Sequence, residues 1–121
     1  MTAKPFVILY VEDNDYIRES FAELLATPER RLVCVADGAG AREALREQNV
    51  NLLMTDINLP DGSGLDVARE ALQRNPRLPV IICSGHDYLG DVARSLGPTV
   101  HPLRKPFDLD ELEALVERLA Q

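Results

Sequence analysis

Short apolar runs alternate with amphipathic stretches along the whole chain. The apolar runs are Phe6–Val11, Leu32–Ala36, Leu52–Thr55, Val80–Cys83 and, more weakly, Val100–Leu103. The first four consist mainly of Val, Ile and Leu without polar alternation, which is typical of strands covered on both faces. The pattern therefore predicts five strands, most of them buried inside a sheet.

Between these runs, apolar residues recur at helical spacing. The residues that mark the first, second, third and last helix are Ile17, Phe21, Leu24 and Leu25; Ala41, Ala44 and Leu45; Leu65, Ala68, Ala71 and Leu72; and Leu109, Leu112, Leu115, Val116 and Leu119. A weaker stretch predicts a short fourth helix, roughly Asp91 to Leu96. Asp108 is the expected N-cap of the last helix, with Glu111 three residues later.

Strands that alternate with helices predict an α/β chain of (βα)₅ type. Its sheet is expected to be parallel, five-stranded and doubly wound, with right-handed crossovers. Pro98 and Pro102 bracket the weak fifth strand, and a proline cannot donate to a strand ladder, so this strand is expected at a sheet edge. No linker or internal repeat interrupts the pattern, and one domain is expected to fill residues 1–121.

Composition narrows the classes of function. The 121 residues are 45% hydrophobic and 27% charged, with 20 acidic and 13 basic side chains and a net charge of −7. This excess of acid disfavours direct binding to nucleic acid or to anionic membranes, which both need a cationic face. No apolar run approaches the roughly 18 residues that span a bilayer. The N-terminal apolar run indicates a buried strand, not a signal peptide, and the expected location is the cytoplasm.

The two cysteines each lie inside an apolar run. Cys34 and Cys83 are therefore expected to be buried thiols in a reducing compartment. No CxxC motif and no Cys–His spacing supports a zinc site.

Polar residues follow four of the predicted strands. The first strand ends in Glu12-Asp13, the third in Asp56, the fourth in Ser84 and the fifth in Lys105. Each has an ordinary explanation by itself: a helix cap, an Asx turn, a loop serine or a solvated lysine. Ligands collect at the carboxyl ends of strands in open α/β sheets, however. Three carboxylates gathered there would repel one another unless a cation joined them, and a hard divalent cation meets that need.

Four motifs make a family resemblance specific. VILYVEDND, LLMTDINLPDGSGLDV, VIICSG and LRKPF occur in this order. Together they resemble the receiver domains of two-component response regulators, over essentially the full chain. The resemblance implies the flavodoxin-like strand order 2-1-3-4-5, which brings the ends of strands one, three and four together.

The resemblance also implies a role for each matching residue. Asp56 is implied as the phosphoacceptor, and Mg²⁺ as the cofactor. The implied Mg²⁺ ligands are Asp56, Asp13 directly, Glu12 mainly through water, and the backbone carbonyl of Asn58. Ser84 is implied to engage the phosphoryl group and Lys105 to form an ion pair with it. The bond between Lys105 and Pro106 is implied to be cis.

A receiver domain is a switch and not an enzyme in its own right, although it assists its own phosphorylation and dephosphorylation. The implied phosphoryl donor is a histidine kinase or a phosphotransfer protein. The implied output is a change in protein contacts through the face formed by helix 4, strand 5 and helix 5. The initial Met1 and a last helix that runs to the end favour a stand-alone protein, although an excised domain would look much the same.

The chain departs from the family pattern at one position. Receiver domains usually carry an aromatic residue three positions before the lysine, where this chain has Pro102, preceded by His101. Either His101 takes over through a register change or the switch works without an aromatic. The second is favoured, because Lys105 and its proline anchor the register. Asn58 and His86 are expected to tune the lifetime of the phosphoryl group, with an ordinary loop histidine as the alternative for His86.

Two other classes of function remain as alternatives. The first is a Mg²⁺-dependent phosphohydrolase with an aspartyl-phosphate intermediate. Such enzymes place an acid two residues after the nucleophile, where this chain has Asn58, which cannot donate a proton in that way. The second is a receiver-like interaction domain that works without phosphate, which normally lacks one of the acidic residues or the lysine.

Overall fold

The computed structural model describes residues 4–120 as alternating strands and helices. In chain order, the strands are β1 (Phe6–Val11), β2 (Arg30–Val35), β3 (Leu52–Asp56), β4 (Asn58–Leu59), β5 (Gly62–Ser63), β6 (Val80–Ser84) and β7 (Val100–Arg104). Five of them form a parallel sheet in the order β2-β1-β3-β6-β7. This order is the predicted flavodoxin-like 2-1-3-4-5 arrangement, which is thereby confirmed. The other two strands, β4 and β5, form a small antiparallel hairpin, called here the β4–β5 hairpin (58–63).

Residues 4–120 contain five helices, of which the first four connect the parallel strands and the fifth follows β7. They are α1 (Asp15–Leu25), α2 (Gly38–Glu47), α3 (Gly64–Arg74), α4 (Leu89–Leu96) and α5 (Leu109–Leu119). Four begin at a residue whose side chain accepts a hydrogen bond from a backbone N–H in the first turn: Asn14, Asp37, Ser63 and Asp108. The prediction for α5 is confirmed, since the Asp108 carboxylate accepts from the N–H of Glu111 at 2.8 Å.

Two apolar layers hold the helices on the sheet. Helices α2, α3 and α4 cover one face, where small side chains such as Ala41, Ala68 and Ala93 let the helices approach closely. Helices α1 and α5 cover the other face, chiefly through Leu25 and Leu112. The central strands β1, β3 and β6 are buried on both faces, as their unbroken apolar sequences predicted.

Two local predictions were wrong. Cys34 is exposed and only Cys83 is buried. Cys34 lies on β2, an edge strand that is only partly covered, contrary to the prediction for its apolar run. Helix α4 begins at Leu89 rather than near Asp91, since the buried Leu89 side chain anchors an extra half turn.

Strand β7 lies at a sheet edge, as its prolines predicted. The N–H of Lys105 donates to the carbonyl of Ser84 on β6 at 2.9 Å. Because successive backbone N–H groups of a strand point in opposite directions, the nitrogen of Pro102 faces away from β6. The missing donor therefore costs the sheet no hydrogen bond. None of the helices within residues 4–120 is long and apolar enough to cross a membrane.

Candidate functional site

Three carboxylates meet at the carboxyl ends of β1 and β3. Glu12, Asp13 and Asp56 each offer an oxygen atom, and these atoms lie within 4.8 Å of one another. Glu12 is only 3% exposed, whereas Asp13 is open to solvent and Asp56 lies between these extremes. The parallel pairing of β1 with β3 produces this arrangement, since it brings Val11 opposite Thr55 just before the acidic residues.

The burial of Glu12 makes its negative charge costly. Loss of solvent raises the pKa of Glu12 to about 7, and the nearby charge of Asp56 adds to the rise. Two partners lower the pKa of Glu12 and so oppose this rise. They are the N–H of Asn14, which donates to Glu12 Oε2 at 3.1 Å, and the charge of Lys105. The cluster therefore carries more negative charge than its surroundings neutralise.

Lys105 supplies the cationic side chain of the site. Its Nζ lies 2.9 Å from Asp56 Oδ1 and 4.0 Å from Glu12 Oε1. Burial lowers the pKa of Lys105, but the hydrogen bond and charge of Asp56 outweigh this effect, and the net pKa is raised. The ammonium is thus held charged against Asp56. The peptide bond between Lys105 and Pro106 is cis, as expected.

Ser84 ends β6 beside Asp56 and is buried. Its hydroxyl oxygen accepts a hydrogen bond from the N–H of His86 at 3.2 Å. In the loop that follows, the His86 ring stacks on Tyr88 with ring centroids 4.9 Å apart. Asp87 forms an ion pair with Arg104 at the end of β7. The Ser84 hydroxyl is therefore connected to a loop that reaches both α4 and β7.

The backbone after Asp56 is fixed on two sides. The N–H of Ile57 donates to Cys83 O on β6 at 3.2 Å, and the N–H of Gly64 donates to Ile57 O at 2.7 Å. Gly64 packs against the main chain of Asp56 so closely that a Cβ atom there would lie 1.9 Å from the Asp56 carbonyl oxygen. Asn58 lies between these contacts, exposed on β4 two residues after Asp56.

Two residues of the site were missed in the sequence. One is Gly64, which was not distinguished from an ordinary loop glycine. The other is Arg18, whose Nη1 donates to the carbonyl of Glu12 at 2.8 Å and whose Nη2 binds Asp15 at 2.6 Å. Arg18 thereby holds the end of β1 against α1. The three-residue spacing from Asp15 was the only available signal, and it indicates a helical ion pair without revealing the contact with Glu12.

His101 and Pro102 lie on opposite faces of β7. Pro102 is exposed and pairs with Ile82, whereas His101 is half-buried and pairs with Ile81 on the side that α5 covers. Burial lowers the pKa of His101, and the charge of Arg118 on α5 lowers it further. The strand register agrees with the interpretation that His101 does not replace an aromatic residue at position 102.

The donor set fits a hard divalent cation. The cluster offers three carboxylates, the ligands that Mg²⁺ prefers, and the Lys105 ammonium lies against two of them, Asp56 and Glu12. A bound cation would offset the desolvation of Glu12 and relieve its repulsion with Asp56, the two effects that raise the pKa of Glu12.

A parallel five-stranded sheet with an acidic cluster and a lysine at its carboxyl edge defines a receiver-type domain. Residues 8–117 match the family model described as the response regulator receiver domain. The chain belongs to this family of two-component response regulators.

Individual relatives agree with this assignment. The chain is 34% identical over 113 residues to the DNA-binding transcriptional regulator NtrC of Escherichia coli, covering 93% of this chain and 24% of that protein. It is also 34% identical to response regulator protein PmrA of Pseudomonas aeruginosa, covering 94% of this chain and 52% of that protein. The chain thus spans at most about half the length of these relatives.

Among solved structures, the response regulator TrrA of Thermotoga maritima in complex with Mg²⁺-BeF has a TM-score of 0.82. It is 28% identical to this chain, and the match covers 94% of this chain and 98% of that one.

Proposed function

We propose that this receiver domain accepts a phosphoryl group on Asp56 in a Mg²⁺-dependent reaction. The proposed ligands of Mg²⁺ are Glu12, Asp13, Asp56 and the backbone carbonyl of Asn58. The observation that carries the proposal is the contact of Asp56 with Lys105 at 2.9 Å inside a cluster of three carboxylates. A carboxylate held this way is a nucleophile beside an ammonium that can bind a phosphoryl oxygen, and the neighbouring carboxylates can hold the cation that would offset the negative charge of the phosphoryl group.

The side chains of the site have separate tasks in this reaction. Lys105 occupies Asp56 Oδ1, so we assign the attack on phosphorus to Oδ2. The new O–P bond forms as the N–P bond of a phosphohistidine donor breaks, and the donor nitrogen keeps the electron pair. Lys105 and the Ser84 hydroxyl bind the oxygens of the transferred group, where charge is spread in the transition state. Bound Mg²⁺ would supply further positive charge at these oxygens.

The donor of the phosphoryl group is proposed to be a histidine kinase or a phosphotransfer protein. The output is proposed to be a change in protein contacts on the face formed by α4, β7 and α5. Support comes from the Ser84 hydroxyl, which is connected through His86 to the start of α4 and, through the same loop, to Arg104 on β7. With Pro102 on the exposed side of β7, we propose that this loop carries the change without an aromatic switch.

We further propose that residues 1–121 form one domain, that it is located in the cytoplasm, and that this domain does not itself bind nucleic acid or membrane. The net charge of −7 supports this, because it gives the chain no general attraction to anionic polymers or lipids.

Intact mass after incubation with acetyl phosphate tests the proposed function. With Mg²⁺ present, the protein is expected to gain a single labile phosphoryl group. The adduct should disappear when EDTA replaces Mg²⁺, and it should be absent from Asp56→Asn. Asp66→Asn is the matched control, since Asp66 is an exposed aspartate in α3 paired with Arg69, and it should be modified like the unaltered protein.

An adduct that persists in Asp56→Asn would refute the assignment of the acceptor. Absence of any adduct at saturating donor would favour a domain that works without phosphate. Repeated turnover of unrelated phosphate esters would favour a phosphohydrolase.

A further inference from the structure

Asp61 lies at the tip of the β4–β5 hairpin and reaches across to α2. Its Oδ1 accepts a hydrogen bond from the N–H of Gly38 at 2.8 Å, and its Oδ2 accepts one from the N–H of Ala39 at 3.0 Å. Both donors belong to the first turn of α2, where backbone N–H groups have no partner within the helix. These two backbone hydrogen bonds lower the pKa of Asp61, so the carboxylate is charged at neutral pH.

Asp61 is not needed simply to cap α2, because that helix has a cap of its own. The Asp37 carboxylate accepts from the N–H of Gly40 at 2.8 Å. Asp37 makes this contact from the same chain segment, whereas Asp61 joins segments 23 positions apart. The Asp61 contact therefore adds a connection between the hairpin and the body of the domain.

The hairpin needs such a connection. It contains only two residue pairs, Asn58 with Ser63 and Leu59 with Gly62, and so short a pair of strands has little stability by itself. Its base is closed by the hydrogen bond from Gly64 to Ile57, and its tip is held by Asp61. Asn58 lies between these two fixed points.

We propose that Asp61 is a positioning residue that locks the β4–β5 hairpin against α2 and so orients the Asn58 backbone for metal binding. This inference rests on the proposed function, which assigns the Asn58 carbonyl to the Mg²⁺ site. Asp61 itself does not touch the metal. Its effect is transmitted through the two residues, Leu59 and Pro60, that separate it from Asn58.

The test compares Asp61→Ala with Asp37→Ala. Each variant removes a carboxylate that caps α2, but only Asp61→Ala releases the hairpin. Mg²⁺ affinity is measured by amide NMR shifts, and the free energy of unfolding by urea in EDTA. Asp61→Ala is expected to weaken Mg²⁺ binding by about threefold or more, less than the roughly 10–100-fold typical of groups that contact metal ligands directly. Asp37→Ala should bind Mg²⁺ like the unaltered protein, even if it lowers stability as much.

Hydrogen exchange in metal-free protein gives a readout independent of the metal. Asp61→Ala should accelerate exchange at Gly38, Ala39 and the hairpin amides, whereas Asp37→Ala should accelerate it at Gly40. Asp61→Asn keeps one acceptor oxygen and should recover part of the Mg²⁺ affinity. If Asp61→Ala does not fold, the same comparison is made between Asp61→Asn and Asp37→Asn.

The outcomes separate this inference from the proposed function. Equal Mg²⁺ affinities for the Asp61 and Asp37 variants would show that Asp61 serves only the stability of α2 and would overturn the inference. Failure of the unaltered protein to bind Mg²⁺ or to be phosphorylated would overturn the proposed function, and the inference with it.

Discussion

Gly64→Ala introduces one methyl group next to the main chain of Asp56. The new Cβ would lie 1.9 Å from the Asp56 carbonyl oxygen and 2.8 Å from Thr55 Oγ1. Real Cβ atoms essentially never approach other atoms within 3.0 Å, so a gap of 1.9 Å must open by about 1.1 Å. Neither neighbour can give way easily, because one is backbone and Thr55 is completely buried.

The expected cost follows from this displacement. Forcing an extra methyl group into a packed region costs about 1–3 kcal/mol. Moving Gly64 also weakens its 2.7 Å hydrogen bond to Ile57, and a typical hydrogen bond contributes about 0.5–1.5 kcal/mol. We therefore expect the free energy of unfolding to fall by about 2–4 kcal/mol. Because a displacement of about 1 Å can reduce a reaction rate about 100-fold, phosphorylation of Asp56 should slow by one to two orders of magnitude, roughly.

Urea unfolding and the rate of modification by acetyl phosphate measure the two effects. Gly90→Ala is the matched control. A Cβ at Gly90 on α4 would meet only the flexible end of Arg94 at 3.7 Å. Alanine favours a helix over glycine by about 0.5–1 kcal/mol, so this variant should be as stable as the unaltered protein or more so. A Gly64→Ala protein with unchanged stability and phosphorylation rate would refute the reasoning about close contact at Asp56.

Three further predictions concern other regions. Phosphorylation should shift the amide NMR signals of Ser84–Arg104 more than those of Asp15–Leu25, and shifts confined to the loops around Asp56 would contradict this. Because burial and a nearby arginine lower the pKa of His101, its unfolded form binds a proton more readily. Stability should therefore fall as the pH drops below about 6.5, and His101→Asn should lose less stability than the unaltered protein between about pH 7 and 5.5 in urea titrations. Equal losses would argue against a lowered pKa of His101 in the folded protein. Leu112→Ala should lower the free energy of unfolding by about 2–5 kcal/mol, because Leu112 is fully buried. Leu24→Ala, at an exposed position, should alter the free energy of unfolding by no more than about 0.5 kcal/mol. Similar losses of stability in both variants would contradict the observed burial.

Much of the fold was predictable because parallel strands buried on both faces leave a strong signal. The runs that became β1, β3 and β6 are almost wholly apolar, and each strand ends at, or directly before, an acidic residue or a serine. In a parallel sheet those ends meet at one edge, so the convergence of Glu12, Asp56 and Ser84 could be inferred from the sequence. Lys105 follows β7, which β6 separates from β3, so its contact with Asp56 also depends on the reach of its long side chain.

Other features depend on which neighbour covers a residue, and local patterns do not contain that information. Cys34 lies in an apolar run as convincing as that of Cys83, yet its strand ended up at an edge. The contact of Asp61 with the N-terminus of α2 joins distant segments, and the Pro-Asp-Gly sequence around it indicates only a turn. The spacing of Arg18 from Asp15 likewise indicates a helical ion pair, but no local pattern indicates the contact of Arg18 with Glu12.

The proline on β7 has a consequence for how this edge meets other molecules. An exposed edge strand can pair with a strand of another molecule. Its outward N–H groups donate some of the hydrogen bonds that form this pairing. On β7, the outward nitrogen of Pro102 has no hydrogen, and the N–H of Val100 is already bonded to Gly97 at 3.3 Å. Two of the three outward N–H positions of β7 are therefore unable to donate to an added strand, which disfavours strand addition and the amyloid-like stacking that can follow from it. A protein that docks here gains less from backbone pairing and must rely more on side-chain contacts.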